Sequence, residues 1–262
     1  MTGLEALILG LVQGLTEFLP VSSSGHLEIG KALFGNTEED LTFSVVVHGA
    51  TALSTLFVFR RDIGGLITGV FRGATLPDSS LSARAYVGWL VLSAVPAAAV
   101  GLTLREVLET GFIGHPDRVG AMLLLTAGIL LLAQRLPGSS KPLNAVRALL
   151  IGTAQAFAIL PGISRSGSTI SAALLLGISR EEAARFSFLM ALAPILGAMV
   201  LEIPDLTGDG SAPWTVYAIG AVAAFASGTL ACRWMIRLVK AMNLGVFALY
   251  CALAGIAAMA FL

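Results

Sequence analysis

The chain has 262 residues, of which 56% are hydrophobic and only 12% are charged, and its mean hydropathy is +0.87. So few charged side chains cannot cover a soluble globule of this size, and we therefore predict a polytopic membrane protein. The formal net charge is zero, which argues against nucleic acid as a partner.

Six apolar runs reach the length of about 20 residues that a membrane-spanning helix needs. Two further apolar regions, 4–34 and 144–176, are interrupted by polar residues at Pro20 and Pro161, and each half is too short to cross. We predict that these two regions are re-entrant helix pairs, so that the fold is all-α. The predicted spans, in chain order, are 41–60, 84–104, 118–135, 184–203, 214–235 and 243–262.

An internal repeat divides the chain. Residues 19–26 (LPVSSSGH) recur in altered form as residues 160–167 (LPGISRSG). Each copy combines one re-entrant pair with three spans, and this odd number of crossings makes the second copy enter the membrane from the opposite side. We predict one membrane domain over 1–262 with inverted topology, with repeat one at about 1–135 and repeat two at about 142–262.

The basic residues test this topology, because cytoplasmic loops are rich in Lys and Arg. In the predicted topology four basic groups lie on one side, which we therefore expect to be cytoplasmic, with both chain termini outside. The groups are Arg60, Arg61, Arg72 and Arg84; Arg135, Lys141 and Arg147; Arg180 and Arg185; and Arg233, Arg237 and Lys240.

Gln13 and Glu17 are four residues apart on the helix before Pro20, so their side chains share a face. A charge inside the membrane is costly and normally faces a polar cavity with a task, although local capping or pairing is the structural alternative for Glu17. A carboxylate beside a phosphate would repel it unless a divalent cation lay between them. We predict Glu17, with Gln13, as metal ligands.

Arg165 lies in the second polar break, and its guanidinium matches phosphate oxygens in bidentate fashion. We predict it as the phosphate clamp. Ser164, Ser166 and Thr169 stand at the start of the following helix, where hydroxyl groups either cap the helix or donate to an oxyanion. We expect them to bind phosphate, together with Ser24 of the first break.

His26 follows the serines of the first break. A lone His in an apolar core is more often structural, but the company of Glu17 and the opposing Arg165 makes it a catalytic candidate. The attacking group stays open between Ser23, His26 and a water molecule activated by one of them, and we favour His26 because it lies at a helix start, where the dipole lowers the population of imidazolium. For His48, in the first span, hydrogen-bonded packing and a supporting role in the site are equally open.

The segments 13–26 (QGLTEFLPVSSSGH) and 161–169 (PGISRSGST) resemble the two motifs of the bacterial undecaprenyl-diphosphate phosphatase family, the integral-membrane type associated with bacitracin resistance. The resemblance extends over nearly the whole chain. Two positions depart from the family pattern: Gln13, where many members have a second Glu, and His48, where relatives often have Gln.

The resemblance implies that the protein removes the terminal phosphate of undecaprenyl diphosphate and so recycles the carrier lipid for cell-wall synthesis. It also implies a divalent cation, Mg²⁺ or Ca²⁺, and a bacterial inner-membrane location with the site open to the extracytoplasmic side. A homodimer is a candidate assembly. The alternative function is a transporter of the polyprenyl phosphate lipid, because inverted repeats with broken helices also build transport sites.

Overall fold

A computed structural model describes residues 1–34, 40–75, 81–112, 114–136, 139–202, 212–241 and 243–261. Within these ranges the protein is all-α, as predicted, and the only β pairing is a single bridge between Thr75 and Ser82. The helices are α1 (Gly3–Phe18), α2 (Ser23–Leu33), α3 (Leu41–Val58), α4 (Arg60–Arg72), α5 (Ala83–Thr110), α6 (Pro116–Gln134), α7 (Ala145–Phe157), α8 (Arg165–Leu175), α9 (Arg180–Glu202), α10 (Trp214–Lys240) and α11 (Leu244–Phe261).

Five helices, namely α5, α6, α9, α10 and α11, are long and apolar enough to cross a membrane. The bent pair of α3 and α4 supplies a sixth when it is counted as one span. This number agrees with the six predicted spans, but the structure adds α4, which the sequence analysis treated as the flank of a loop. The chain bends by 71° between α3 and α4, where the charged residues 60–62 follow the apolar run.

Each of the two interrupted regions forms a helix, a break and a second helix, as predicted. The second helices, α2 and α8, have 11 residues each, or roughly 16 Å at 1.5 Å per residue. That is about half of the 30 Å hydrocarbon thickness, so neither helix can cross it alone.

The helix caps of the two halves are in register. The N-caps Thr2 and Asn144 are 142 positions apart, and so are the N-caps Ser22 and Ser164. Both serine caps accept a hydrogen bond from the glycine amide three residues later. This constant spacing is consistent with the predicted repeat, whose inverted orientation in the membrane stays a prediction.

Each half of the chain packs its first helix on a long helix of the other half: α1 lies on α10, and α7 lies on α5. Glycine permits the close approach in both pairs. A Cβ atom added at Gly10 would lie 2.4 Å from the Gly220 carbonyl oxygen, and one added at Gly152 would lie 2.2 Å from the Ser93 carbonyl oxygen. Small residues of this kind let membrane helices pack backbone to backbone. This packing anchors both broken regions against long helices and fixes where the breaks meet.

Three of the four predicted cytoplasmic basic groups meet at one end of the molecule. Arg185 at the start of α9 forms an ion pair with Asp62 of α4. Arg180 donates from Nη2 to the Leu136 carbonyl oxygen after α6, at 3.3 Å. These contacts join segments that are distant in the sequence, and they agree with the predicted topology.

Candidate active site

The two breaks line one cavity of about 850 Å³, together with parts of α3, α5 and α9. Its lining contains polar residues, here called the polar wall, and apolar residues, here called the apolar wall. The polar lining residues include Thr16, Glu17, Ser22, Ser23, Ser24, His48, Gln155, Ser164, Arg165 and Ser166. The apolar lining residues include Ala94, Ala97, Ala98, Leu102, Ala193, Leu196 and Val200.

Glu17 is the centre of the polar wall and is 6% exposed. Its Oε2 atom accepts hydrogen bonds from Ser23 Oγ at 2.5 Å and from Gln13 Nε2 at 3.1 Å. Its Oε1 atom accepts from Nη2 of Arg165. A hydroxyl group held against a carboxylate is the arrangement of a nucleophile beside its base. The structure thus brings together four of the residues predicted from the sequence.

Arg165 is the first residue of α8 and crosses from the second half of the chain to reach Glu17. Its Nη1 atom also donates to the Ala191 carbonyl oxygen of α9, at 3.3 Å. The Arg165 side chain is 21% exposed, against 3% for that of Glu17. The guanidinium is therefore the more accessible partner of this ion pair and can be reached by a ligand in the cavity.

Ser22 holds the first break in an unusual backbone conformation. It is the one non-glycine residue with positive φ in the described chain, at 70°. Such a conformation costs about 1–2 kcal/mol for an L-residue, and persists where surrounding contacts impose it. Ser22 Oγ accepts from the Gly25 amide at 3.3 Å and from the Gly162 amide at 3.1 Å. This hydroxyl links the two breaks and sets the position of Ser23.

Of the predicted phosphate-binding hydroxyl groups, the structure places three at the cavity and one away from it. Ser24, Ser164 and Ser166 line the cavity. Ser164 caps α8, and Ser166 Oγ donates to the Leu19 carbonyl oxygen at 3.1 Å. Thr169 is fully buried, bonded to the Arg165 carbonyl at 2.8 Å and the Ser187 hydroxyl at 2.5 Å. The structure does not bring Thr169 to the cavity.

His26 is also not among the residues that line the cavity, and its ring lies against α11. Its ring stacks on Tyr250 with 5.5 Å between centroids. Nδ1 is 2.7 Å from the Ser22 carbonyl oxygen, which only accepts, so Nδ1 carries the proton. Nε2 then accepts from the Tyr250 hydroxyl at 2.7 Å. The structure therefore does not place His26 beside Glu17, and instead shows it supporting the strained Ser22.

Two further polar side chains line the cavity. His48 of α3 donates from Nδ1 to the Ser44 carbonyl oxygen at 2.8 Å, so its Nε2 has a lone pair. From the sequence, its role is open between hydrogen-bonded packing and support of the site. Gln155 of α7 is 2% exposed and was missed by the sequence analysis. The signal for it was the repeat, since Gln155 lies 142 positions after Gln13.

Comparison with known proteins gives the family. The family model described as bacitracin resistance protein BacA matches residues 6–257. Relatives named undecaprenyl-diphosphatase are 46% identical in Christiangramia forsetii, covering 98% of this chain and 97% of the relative, and 45% identical in Bacteroides thetaiotaomicron, covering 98% of each. A third, from Rhodopirellula baltica, is 41% identical over 97% of this chain and 95% of the relative. The chain therefore belongs to the bacitracin resistance protein BacA family.

Proposed function

We propose that the protein hydrolyses undecaprenyl diphosphate to undecaprenyl monophosphate and inorganic phosphate. The relatives named undecaprenyl-diphosphatase support this substrate, since they align with nearly the whole chain. The observation that carries the proposal is the carboxylate of Glu17, which accepts from Ser23 Oγ at 2.5 Å on one oxygen and from Arg165 on the other. The proposed nucleophile and the proposed anion clamp thus both contact the proposed base.

Arg165 receives the terminal phosphate first. Its guanidinium binds two phosphate oxygens in place of the single carboxylate oxygen of Glu17. The N-termini of α2 and α8 both begin at the cavity, where the serine caps Ser22 and Ser164 lie, and their free amides and dipoles favour an anion. Because substrate binding takes Arg165 from Glu17, it also frees the carboxylate to act as a base.

Ser23 then attacks. Its oxygen forms a bond to the terminal phosphorus, its proton passes to Glu17, and the bond from that phosphorus to the bridging oxygen breaks. The electron pair of the broken bond leaves on undecaprenyl monophosphate, which takes the proton from Glu17. The product of this step is phosphoserine at position 23.

Water completes the reaction. A water molecule gives a proton to Glu17 as its oxygen attacks the phosphoserine phosphorus. The bond between phosphorus and Ser23 Oγ breaks, Glu17 returns the proton to Oγ, and inorganic phosphate leaves. The cycle restores both side chains and consumes one water molecule for each diphosphate.

We further propose that Gln13 and Glu17 hold a divalent cation, Mg²⁺ or Ca²⁺. Gln13 Oε1 is buried without a hydrogen-bond partner in the described residues, while Nε2 faces Glu17. Amide and carboxylate oxygens are the ligands these hard cations prefer. Since no three His, Cys, Asp or Glu side chains cluster as a metal site in the described ranges, substrate phosphate oxygens would complete the set. The bound cation would neutralise diphosphate charge.

The rest of the cavity supports a lipid substrate. The apolar wall from α5 and α9, including Ala97 and Leu196, fits a prenyl chain. The lining continues to Ser44 near the start of α3 and to Val200 near the end of α9. In the predicted topology these helix ends face outwards, so we propose a site open to the extracytoplasmic side of the bacterial inner membrane.

A homodimer stays a prediction, which the mass of the purified protein in detergent tests.

Phosphate release by purified protein in detergent tests the proposed function. Wild type should release inorganic phosphate from undecaprenyl diphosphate, and Ser23→Ala should lower the rate at least about 1,000-fold because the nucleophile is gone. Thr153→Val, a change on the exposed side of α7, is the control and should keep the wild-type rate. A transporter would release no phosphate, and full activity in Ser23→Ala would contradict the serine mechanism.

A further inference from the structure

Gln155 is a buried amide that the mechanism above does not use. It is 2% exposed, and neither Oε1 nor Nε2 has a hydrogen-bond partner in the described part of the chain. Its side chain lines the same cavity as Ser23 and Arg165. A buried amide without partners loses the hydrogen bonds that it made to water, and native proteins seldom leave such a group unpaired. The cavity therefore has to supply its partner.

The equivalent glutamine in the first half of the chain has a hydrogen-bond partner for its amide nitrogen. Gln13, 142 positions earlier, donates from Nε2 to Glu17 Oε2 at 3.1 Å. The residue 142 positions after Glu17 is Ile159, which is apolar. The amide of Gln155 consequently has no carboxylate one turn further along its helix. The Gln13 amide nitrogen has a hydrogen-bond acceptor within its own helix, whereas the acceptor for Gln155 has to come from a ligand.

The residues around Gln155 indicate which part of the ligand it binds. Helix α7 packs on α5, and Ala94 and Ala97 of α5 belong to the apolar wall of the cavity. Ser164 and Arg165, which follow the break after α7, belong to the polar wall. Gln155 thus lies on the helix that packs both on α5, which carries part of the apolar wall, and on α8, which carries part of the polar wall. In a prenyl diphosphate, the group between the terminal phosphate and the apolar chain is the phosphate esterified to the lipid.

We propose that Gln155 binds the lipid-linked phosphate of a polyprenyl diphosphate, a proposal that rests on the proposed phosphatase function. Nε2 donates to a phosphate oxygen, and Oε1 accepts from a cavity water molecule. When the bridging bond breaks, negative charge grows on this same phosphate. A donor at that point stabilises the transition state more than the bound substrate, so Gln155 assists departure of the lipid monophosphate.

The two products of the proposed reaction can be used to test the Gln155 contact separately from the rest of the site. Prenyl monophosphate keeps the lipid-linked phosphate, whereas inorganic phosphate comes from the terminal position. The probes are farnesyl monophosphate and inorganic phosphate, each measured as an inhibitor of diphosphate hydrolysis. Gln155→Leu and Gln155→Met, which remove the amide without adding charge, should raise the inhibition constant of farnesyl monophosphate by about tenfold or more, as expected for a lost hydrogen bond to a charged group. The constant for inorganic phosphate should stay within about twofold.

Thr153→Val, on the exposed side of the same helix, is the matched control and should change neither constant. Equal weakening of both inhibitors in the Gln155 variants would indicate a general loss of site geometry and would overturn the proposal. If both inhibitors act on the Gln155 variants as they do on wild type, and the variants have an equal or higher melting temperature, then only water contacts this amide. That result would also overturn the proposal. Gln155→Met has nearly the wild-type volume and no charge, and serves if Gln155→Leu does not fold.

Direct binding distinguishes failure of this proposal from failure of the proposed function. The shift in melting temperature caused by farnesyl monophosphate can be measured on wild type and on both variants without any turnover. A smaller shift in the variants supports the Gln155 contact even if wild type releases no phosphate from the diphosphate, an outcome that would overturn only the phosphatase. Equal shifts in all three proteins would overturn the contact while leaving the phosphatase unaffected.

Discussion

Ser23 and Arg165 occupy the same position in the two halves of the chain. Each is the first residue of an 11-residue helix, directly after a serine N-cap, and both contact the carboxylate of Glu17. The duplicated break thus supplies a hydroxyl from one copy and a guanidinium from the other. In the proposed mechanism, the one carboxylate between them couples anion binding to activation of the hydroxyl.

Arg165→Lys should lower kcat/KM at least about 100-fold without unfolding the protein. Lysine keeps the charge but presents no planar fork for two phosphate oxygens. Arg84→Lys, at the predicted cytoplasmic end, is the control and should keep both activity and melting temperature. Hydrolysis by Arg165→Lys at a rate close to wild type would rule out the bidentate clamp.

Glu17→Gln should remove cation-stimulated hydrolysis, because two amides would remain on this face of α1 and no carboxylate. Gln13→Glu should stay active and reach half-maximal rate at a lower cation concentration, since it adds an anionic ligand where a buried oxygen lacks a partner. Titration of Mg²⁺ and Ca²⁺ against the rate measures both effects. Cation stimulation that survives in Glu17→Gln would move the metal site elsewhere.

His26→Ala should reduce the rate about tenfold or more by removing one of the two hydrogen bonds to the Ser22 carbonyl oxygen, while the bond from the backbone amide of residue 26 stays, and not by removing a nucleophile. The Nδ1 hydrogen bond of 2.7 Å helps to hold Ser22 at positive φ. His26→Asn keeps an N–H donor and should recover part of the loss, whereas Tyr250→Phe should have a smaller effect. If His26→Asn and His26→Ala are equally inactive, this support does not explain the role of His26.

Single cysteines at the matched caps test the inverted repeat. Thr2 and Asn144 are exposed and equivalent, and both native cysteines are buried. A membrane-impermeant maleimide should label Thr2→Cys in spheroplasts and Asn144→Cys only after the membrane is opened. Labelling of both from the same side would contradict the inverted topology.

Much of the fold follows from the sequence because the prolines and polar residues interrupt apolar runs at two places. Helix α4 was not predicted, since its charged start after α3 is also typical of a loop. Gln155 was missed for a specific reason: alignment of Pro20 with Pro161 gives a spacing of 141, whereas the caps give 142. Only the second spacing pairs Gln155 with Gln13.

The position of His26 could not be obtained from the sequence. Closeness to the serines in the chain does not determine which side of α2 faces the cavity. That side is set by the backbone angle of Ser22 and by Tyr250, which lies 224 positions away. Glu17 and Arg165 were easier to select as candidates, because an acid or a guanidinium within an apolar segment needs a polar partner.

The most direct test of the serine mechanism is to trap the phosphorylated enzyme. Rapid acid quench of the enzyme with undecaprenyl diphosphate labelled in the terminal phosphate should yield an acid-stable phosphoserine that maps to position 23. The adduct should be absent in Ser23→Ala and still detectable in His26→Ala. An acid-labile adduct that disappears only in His26→Ala, or no adduct in any variant, would contradict attack by Ser23.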